Sequence, residues 1–154
     1  MKPQPAPPEV LELFTFLVGS RRYAVDLGRV DEVLPEMETA KVEGAPPFVR
    51  GYVQLRAERV PVVELRTCLA ETEAPTGSRP GLLLCWLGPR RVAFAMDGVG
   101  GVSEVAVSRL RLPGKAEVAL PGVVAVWDEP PAVHFLLDVL ALCADDSPPA
   151  EGRG

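Results

Sequence analysis

The sequence contains few side chains that could carry out catalysis. His134 is its one histidine and lies in an apolar, strand-like run, where a packed or edge-facing imidazole is more common than a catalytic base or a metal ligand. Cys68, Cys85 and Cys143 stand in apolar contexts that disfavour a thiolate, so an enzyme using Cys85 or His134 has no local support. Their odd number and wide separation favour neither a disulfide framework nor a zinc site. We expect reduced cysteines, no metal site and no cofactor.

The remaining candidate motifs also fail to point to an enzyme. The glycine cluster at 98–101 lacks the spacing and the Lys-Ser/Thr pair of a phosphate-binding loop, so it predicts a turn after Asp97. Glu64, Asp97 and Asp138 each end an apolar run, as residues at strand ends or helix starts do. No two of them can be assigned the separation of a glycosidase pair from the sequence. We therefore expect no catalytic residues.

One arginine has the position of a binding residue. Strand alternation places Gln54 and Arg56 on the same face, and Arg56 closes its strand just before a turn. A guanidinium held at a rigid strand end can grip a carboxylate or backbone carbonyls of a partner. Glu32, between Val30 and Val33, could orient it beside an apolar stripe. From composition alone, a solvated hairpin arginine is the more common alternative.

Composition excludes several classes of protein. The 154 residues are 47% hydrophobic and 24% charged, which is typical of one globular domain or of two small units that share a core. The formal charge of -5 weighs against a nucleic-acid partner, which would require a basic surface. No apolar run approaches the roughly 20 residues of a membrane span, and no secretory signal is visible.

Turn residues divide the chain into short strands that predict a barrel or sandwich. Four hairpins are expected: Leu11 to Val18 with Tyr23 to Leu27, Gly51 to Arg56 with Arg59 to Leu65, Leu82 to Leu87 with Arg91 to Met96, and Gly122 to Trp127 with Val133 to Leu137. Short helices are expected around Arg29 to Leu34 and from Asp138 to Ala144. Residues 1–9 and 145–154 are expected to be disordered tails.

An internal repeat indicates two similar halves. The segment around Gly19 resembles the one around Gly88, and Val33 matches Val102 at the same spacing. Later in each half, Gly51 and the apolar run that follows it resemble Gly122 and the apolar run that follows that glycine. Chance similarity among valine-rich strands is the alternative. A half of this size supports only a marginal core, so two small barrels packed side by side, with a groove between them, are predicted.

Four motifs in order resemble the CheW-like chemotaxis coupling proteins. The clearest is P-F-V-R-G-Y-V-Q-L-R followed by V-P-V-V-E-L-R, similar to the family pattern P-x-F-[IV]-x-G-x-[IV]-N-L-R-G and its D-L-R segment. The segments that carry the resemblance are Phe14 to Val33, Pro47 to Arg66, Val92 to Val105 and Leu120 to Leu142. Together they cover about residues 11–143.

The resemblance implies a mainly β fold of two intertwined five-stranded SH3-like β-barrels, with short helical segments and a short C-terminal helix. It implies a non-enzymatic cytoplasmic adaptor, at receptor clusters, between a chemoreceptor cytoplasmic tip and the regulatory domain of a CheA-type histidine kinase. No nucleic acid or membrane insertion is expected. An alternative is a module that binds only one of these partners in an accessory pathway. The implied receptor-groove residues are Val30, Glu32, Val33, Gln54 and Arg56.

The resemblance also implies boundaries and departures. The domain is expected to span 10–144, with subdomain 1 at about 19–76 and subdomain 2 at about 10–18 and 82–144. Ala57 replaces the glycine of N-L-R-G, which predicts an altered or strained turn, and Glu64 replaces the aspartate of D-L-R. Pro130-Pro131 is expected to interrupt pairing in the last hairpin.

Overall fold

The computed structural model describes residues 9–74, 79–115 and 121–144, with side chains in the last helix up to residue 142. The expected tails and the Cys143 side chain lie almost entirely outside this part of the chain. The strands are β1 (Val10–Val18), β2 (Arg21–Asp26), β3 (Val30–Pro35), β4 (Val49–Leu55), β5 (Glu58–Glu64), β6 (Gly81–Leu87), β7 (Arg90–Met96), β8 (Gly98–Ala106), β9 (Val123–Glu129) and β10 (Ala132–Leu137). The helices are α1 (Leu65–Cys68) and α2 (Val139–Ala144), with short 3-10 turns at Leu27–Arg29 and Val107–Arg109.

The strands form two five-stranded sheets with the same internal order. Sheet 1 runs β8-β1-β2-β10-β9 and sheet 2 runs β3-β6-β7-β5-β4. All neighbours are antiparallel except β2 with β10 and β5 with β7. The first half of the chain contains β1 to β5 and the second half β6 to β10. Replacing each strand by the equivalent strand of the other half, β1 by β6 and so on, converts one order into the other. The predicted repeat, the four hairpins and the mainly β fold class are confirmed.

The two halves are intertwined because each contributes its first hairpin to the other half's sheet. β1 and β2 join β8, β9 and β10, whereas β6 and β7 join β3, β4 and β5. The sheets therefore group the strands differently from the expected subdomains at 19–76 and at 10–18 with 82–144. A two-residue turn pairs Val18 directly with Arg21, so β1 and β2 stay together and no subdomain boundary falls between them.

The exchange of hairpins explains the long apolar runs in the central strands. One face of each exchanged hairpin packs into a core shared by both sheets, which includes Phe16, Tyr23, Leu83 and Phe94. The other face packs into a smaller core within its own sheet, around Trp127 in sheet 1 and around further valines and leucines in sheet 2. A strand buried on both faces lacks alternation, as the sequence L-L-L-C of β6 shows.

Two local predictions were wrong for the same reason. The helix expected at 29–34 is a 3-10 turn followed by β3, in which Val33 pairs with Leu83 of β6. The turn expected at 98–101 is the start of β8, which pairs with β1. The register shifts once along each of these pairings, so an extra residue breaks the alternation that marks a strand.

The last hairpin is paired up to its turn. Pro130 and Pro131 occupy the two turn positions, and Glu129 pairs directly with Ala132 on either side of them. The predicted interruption was wrong, because a proline that lacks an N–H does not weaken a ladder in which it takes no part. The predicted C-terminal helix is confirmed as α2, which is too short to cross a membrane, as is every other helix of the described chain.

His134 is a packed residue of sheet 1, as the sequence predicted. It pairs across the strands with Trp127, and the two rings stack with their centroids 4.8 Å apart. Its Nδ1 is buried and accepts or donates no hydrogen bond within the described chain. Burial lowers the pKa of His134 from its usual 6.5; Glu129 opposes this effect, and Arg22 and Arg109 add to it.

The lowered pKa predicts that acid destabilises the fold through His134. Well above pH 6.5 the imidazole is neutral in both states, and as the pH falls through 6.5 the unfolded chain takes up the proton first. His134→Gln should cost about 1 kcal/mol at pH 7.5 through loss of the stack on Trp127. Urea melts at pH 7.5 and pH 5 should show that the difference in unfolding free energy between the original protein and His134→Gln becomes smaller at the lower pH. If this difference in unfolding free energy stayed constant with pH, the lowered pKa of His134 would be contradicted.

Candidate functional site

A slot opens between the two outer strands of sheet 2. β3 and β4 terminate this sheet on opposite sides, and the gap between them forms a surface depression of about 200 Å³. Three of the predicted residues lie here: Glu32 on β3, Gln54 on β4, and Arg56 in the turn that follows β4. The other lining residues are Leu34, Leu55, Leu84 and Arg91. We call this depression the Arg56 slot.

Arg56 adopts a backbone conformation that normally requires glycine. The two-residue turns of the β1-β2 and β6-β7 hairpins begin with Gly19 at φ 62° and Gly88 at φ 64°. The β4-β5 turn begins instead with Arg56 at φ 55°, and the Gln54 Nε2 donates a hydrogen bond of 3.1 Å to the Arg56 carbonyl. The strain expected at Ala57 therefore falls on Arg56. It costs an L-residue about 1–2 kcal/mol, and such costs are concentrated at functional sites.

The charge of Arg56 is available to a partner. Its side chain is exposed and forms no hydrogen bond or ion pair with any residue in the described ranges, and the same holds for Glu32. Glu32 was expected to orient Arg56. Both residues line the slot, but their side chains do not contact each other directly. Arg91, on the slot wall, is instead engaged by Asp31 and Glu58.

The predicted valines lie on the opposite face of β3. Val33 pairs with Leu83, which belongs to the shared core, and Val30 is half-buried against the same core. Since neighbouring side chains in a strand point to opposite faces, Glu32 faces the slot while Val33 faces away from it. The structure thus divides the predicted site between two faces of one outer strand.

A third valine completes the apolar part of the site. Val102 on β8 pairs with Phe14 of the shared core and is 60% exposed, and Val33 on β3 is 38% exposed. Both valines extend the core face to the outer strand of a sheet. Val102 was not among the predicted site residues, although the repeat that matches it with Val33 was the signal that could have found it. We call Val33 and Val102 the edge valines.

The outer strands that carry the edge valines, β3 of sheet 2 and β8 of sheet 1, approach each other at one point. A Cβ built on Gly81 would lie 2.8 Å from the Leu34 carbonyl oxygen of β3 and 3.2 Å from Val99 Cγ2 of β8. The end of β3 and the start of β8 therefore meet beside the first residue of β6. The edge valines belong to strands that border this junction. The groove expected between two packed units stays a prediction.

A carboxylate ties the two sheets together beside this junction. Asp97 Oδ2 accepts hydrogen bonds from the Gly19 backbone N–H at 2.7 Å and from Arg66 Nη1 at 2.8 Å. Gly19 lies in the β1-β2 turn of sheet 1, and Arg66 lies in α1, which directly follows β5 of sheet 2. Asp97 itself lies at the crossover from β7 to β8, so the relative position of the sheets is fixed by three separate chain segments.

Comparison with known proteins agrees with this architecture. The chain is 25% identical over 100 residues to the chemotaxis protein CheW of Klebsiella aerogenes, covering 65% of this chain and 60% of that protein. It is 25% identical over 109 residues to CheW of Treponema pallidum, covering 68% and 64%. The chain thus spans less than two thirds of the length of these two relatives. It is 30% identical over 129 residues to protein FrzA of Myxococcus xanthus, covering 81% of each.

The fold is shared with a solved structure. The scaffolding protein TtCheW from Thermoanaerobacter tengcongensis superposes with a TM-score of 0.77 and 16% identity, covering 88% of this chain and 92% of that one. At that identity the likeness concerns the fold alone. The model of the CheW-like domain matches residues 12–147, which include both sheets, the Arg56 slot and the edge valines. The chain therefore belongs to the CheW-like domain family.

Proposed function

We propose that this chain is a non-enzymatic scaffold that couples chemoreceptors to a CheA-type histidine kinase. Its family and its likeness to proteins named CheW support the proposal. The observation that carries it in this chain is Arg56, which is exposed on a strained turn, shares the slot lining with Leu34, Leu55 and Leu84, and has no side-chain partner among the described residues. A receptor tip fits this arrangement if it brings a carboxylate to Arg56 in the slot and apolar side chains to the edge valines, of which Val33 lies on the other face of β3.

The chemistry of the surface suits reversible association. The edge valines offer apolar area, whereas Arg56 and Glu32 offer direction, because hydrogen bonds and ion pairs require a defined geometry. Scaffolding of this kind needs interfaces near the lower end of the roughly 1,200–2,000 Å² of standard complexes. We propose that the protein acts in the cytoplasm, at receptor clusters, and that the kinase regulatory domain docks at the end of one of the two sheets.

Binding to the two partners separately tests the proposal. We expect the purified protein to bind a soluble coiled-coil fragment of a chemoreceptor cytoplasmic tip and, independently, the regulatory domain of a CheA-type kinase. A ternary complex should form when all three are mixed, measured by calorimetry and size-exclusion chromatography. Binding to one partner alone would support a module that serves only one of them, and binding to neither would refute the scaffold.

A further inference from the structure

Arg91 stands at the wall between the Arg56 slot and a neighbouring depression. It lines both depressions, and Glu58 lines the second one. Its guanidinium carbon lies 5.5 Å from the centre of the Trp86 ring, directly across the β6-β7 hairpin. The Arg91 side chain is only 20% exposed, so its charge is held in one place and is shielded from solvent more than that of Arg56.

Two carboxylates hold the Arg91 guanidinium from two directions. Its Nη1 donates to Asp31 Oδ2 at 2.8 Å, and its Nε and Nη2 donate to Glu58 Oε1, the former at 3.2 Å. Asp31 is the extra residue at the register shift of β3, because Val30 pairs with Cys85 and the next pair is Glu32 with Leu84. A bulge of this kind re-aims a side chain, and here it brings the Asp31 carboxylate to Arg91.

Within the part of the chain that the structure describes, the charges around the slot leave one acid and one base unpaired. The group contains three carboxylates, on Asp31, Glu32 and Glu58, and two guanidinium groups, on Arg56 and Arg91. Arg91 engages Asp31 and Glu58. Glu58 begins β5 only two residues after Arg56. If Arg91 did not engage the Glu58 carboxylate, that carboxylate would be the one nearest along the chain to attract the Arg56 guanidinium.

We propose that Arg91 is a positioning residue that keeps Arg56 free for a partner. By engaging Asp31 and Glu58, Arg91 prevents either carboxylate from capturing the Arg56 side chain within the slot. The slot then presents one guanidinium, Arg56, and one carboxylate, Glu32, neither paired with any described residue. It selects a partner surface that carries a carboxylate and a cation at matching positions. This inference rests on the proposed function and identifies the determinant of partner choice within it.

A rescue experiment separates this role from a structural one. Arg91→Met, which keeps the length of the side chain, should weaken binding of the chemoreceptor tip fragment about tenfold. The triple variant Arg91→Met with Asp31→Asn and Glu58→Gln should bind within about twofold of the original protein, since no carboxylate remains to capture Arg56. Neutral amides do not replace the packing of Arg91, so loss of packing alone would not be rescued. Arg90→Met, at the adjacent exposed position, is the matched control and should bind normally.

The state of Arg56 provides a measurement that needs no partner. In ¹⁵N NMR spectra, the Arg56 Nε–Hε signal should shift and exchange more slowly with water in Arg91→Met, and return to its original position in the triple variant. Normal binding by Arg91→Met, or a triple variant that binds as weakly as Arg91→Met, would overturn the proposal. If the unmodified protein does not bind the tip fragment, the proposed function fails, and an Arg56 signal insensitive to Arg91→Met would still overturn the positioning role.

Discussion

Arg56→Glu is expected to lower affinity for a chemoreceptor tip fragment by about 10- to 100-fold, equivalent to about 1.4–2.8 kcal/mol. The substitution places a second free carboxylate beside Glu32 in the slot, so a partner carboxylate would meet repulsion where it now meets a guanidinium. Stability should change by less than about 0.5 kcal/mol, since the side chain is exposed and glutamate bears the same backbone strain as arginine. Isothermal calorimetry and thermal melts measure the two effects.

Two further variants make this expectation specific. Lys115→Glu changes the net charge equally at an exposed position outside both sheets and should leave binding unchanged. Arg56→Gly removes the guanidinium and also relieves the positive φ, so it should stabilise the fold by about 1 kcal/mol while weakening binding. Unaltered binding by Arg56→Glu, or loss of its folded state, would remove Arg56 from the site.

Gly100→Ala is expected to destabilise the fold by about 2–3 kcal/mol and to lower the melting temperature by about 5–10 °C. A Cβ on Gly100 would lie 2.1 Å from the Thr15 carbonyl oxygen and 2.7 Å from its carbonyl carbon. These are backbone atoms of β1 at the register shift between β1 and β8, so the overlap can be relieved only by moving a strand. Since β8 also carries Val102, the movement should weaken receptor binding as well.

The adjacent glycine is the matched control. A Cβ on Gly101 would meet nothing within 4 Å, and its φ lies outside the left-handed region. Gly101→Ala should therefore alter stability by less than about 0.5 kcal/mol. Thermal and urea unfolding of both variants, measured in parallel, check the difference. Equal destabilisation by the two would mean that the close approach of β8 to the Thr15 backbone is not what requires glycine at residue 100.

Local signals in the sequence were sufficient for the hairpins. The Gly19-Ser20 and Gly88-Pro89 turns lie between apolar runs that pair directly with each other, so the turn and both strands are specified within about twenty residues. Arg56 was also identified locally, from strand alternation, the following turn and the resemblance. The strain at this residue was predicted, but one position too late, at Ala57.

The strands that were misassigned are those whose pattern depends on a distant partner. In β3, the spacing of Val30, Val33 and Leu34 imitates a helix because an extra residue enters the pairing with β6. In β8, glycines stand where the strand passes over the Thr15 backbone. In both strands the bulge is defined against a neighbour far along the chain, so no window of local sequence contains it.

By itself, the sequence determined the hairpins, the duplicated halves, the family and the arginine at the fourth strand end, because each depends on residues that are close along the chain or on motifs that stand in order. Only the tertiary structure decided the exchange of hairpins between the sheets and the engagement of Arg91 by Asp31, 60 residues away. Sheet order decides which distant charges meet, and the energy differences that select one order over another arise from packing across the shared core. The edge valines illustrate both parts: the repeat matched them along the chain, whereas their exposure beside that core follows from the fold.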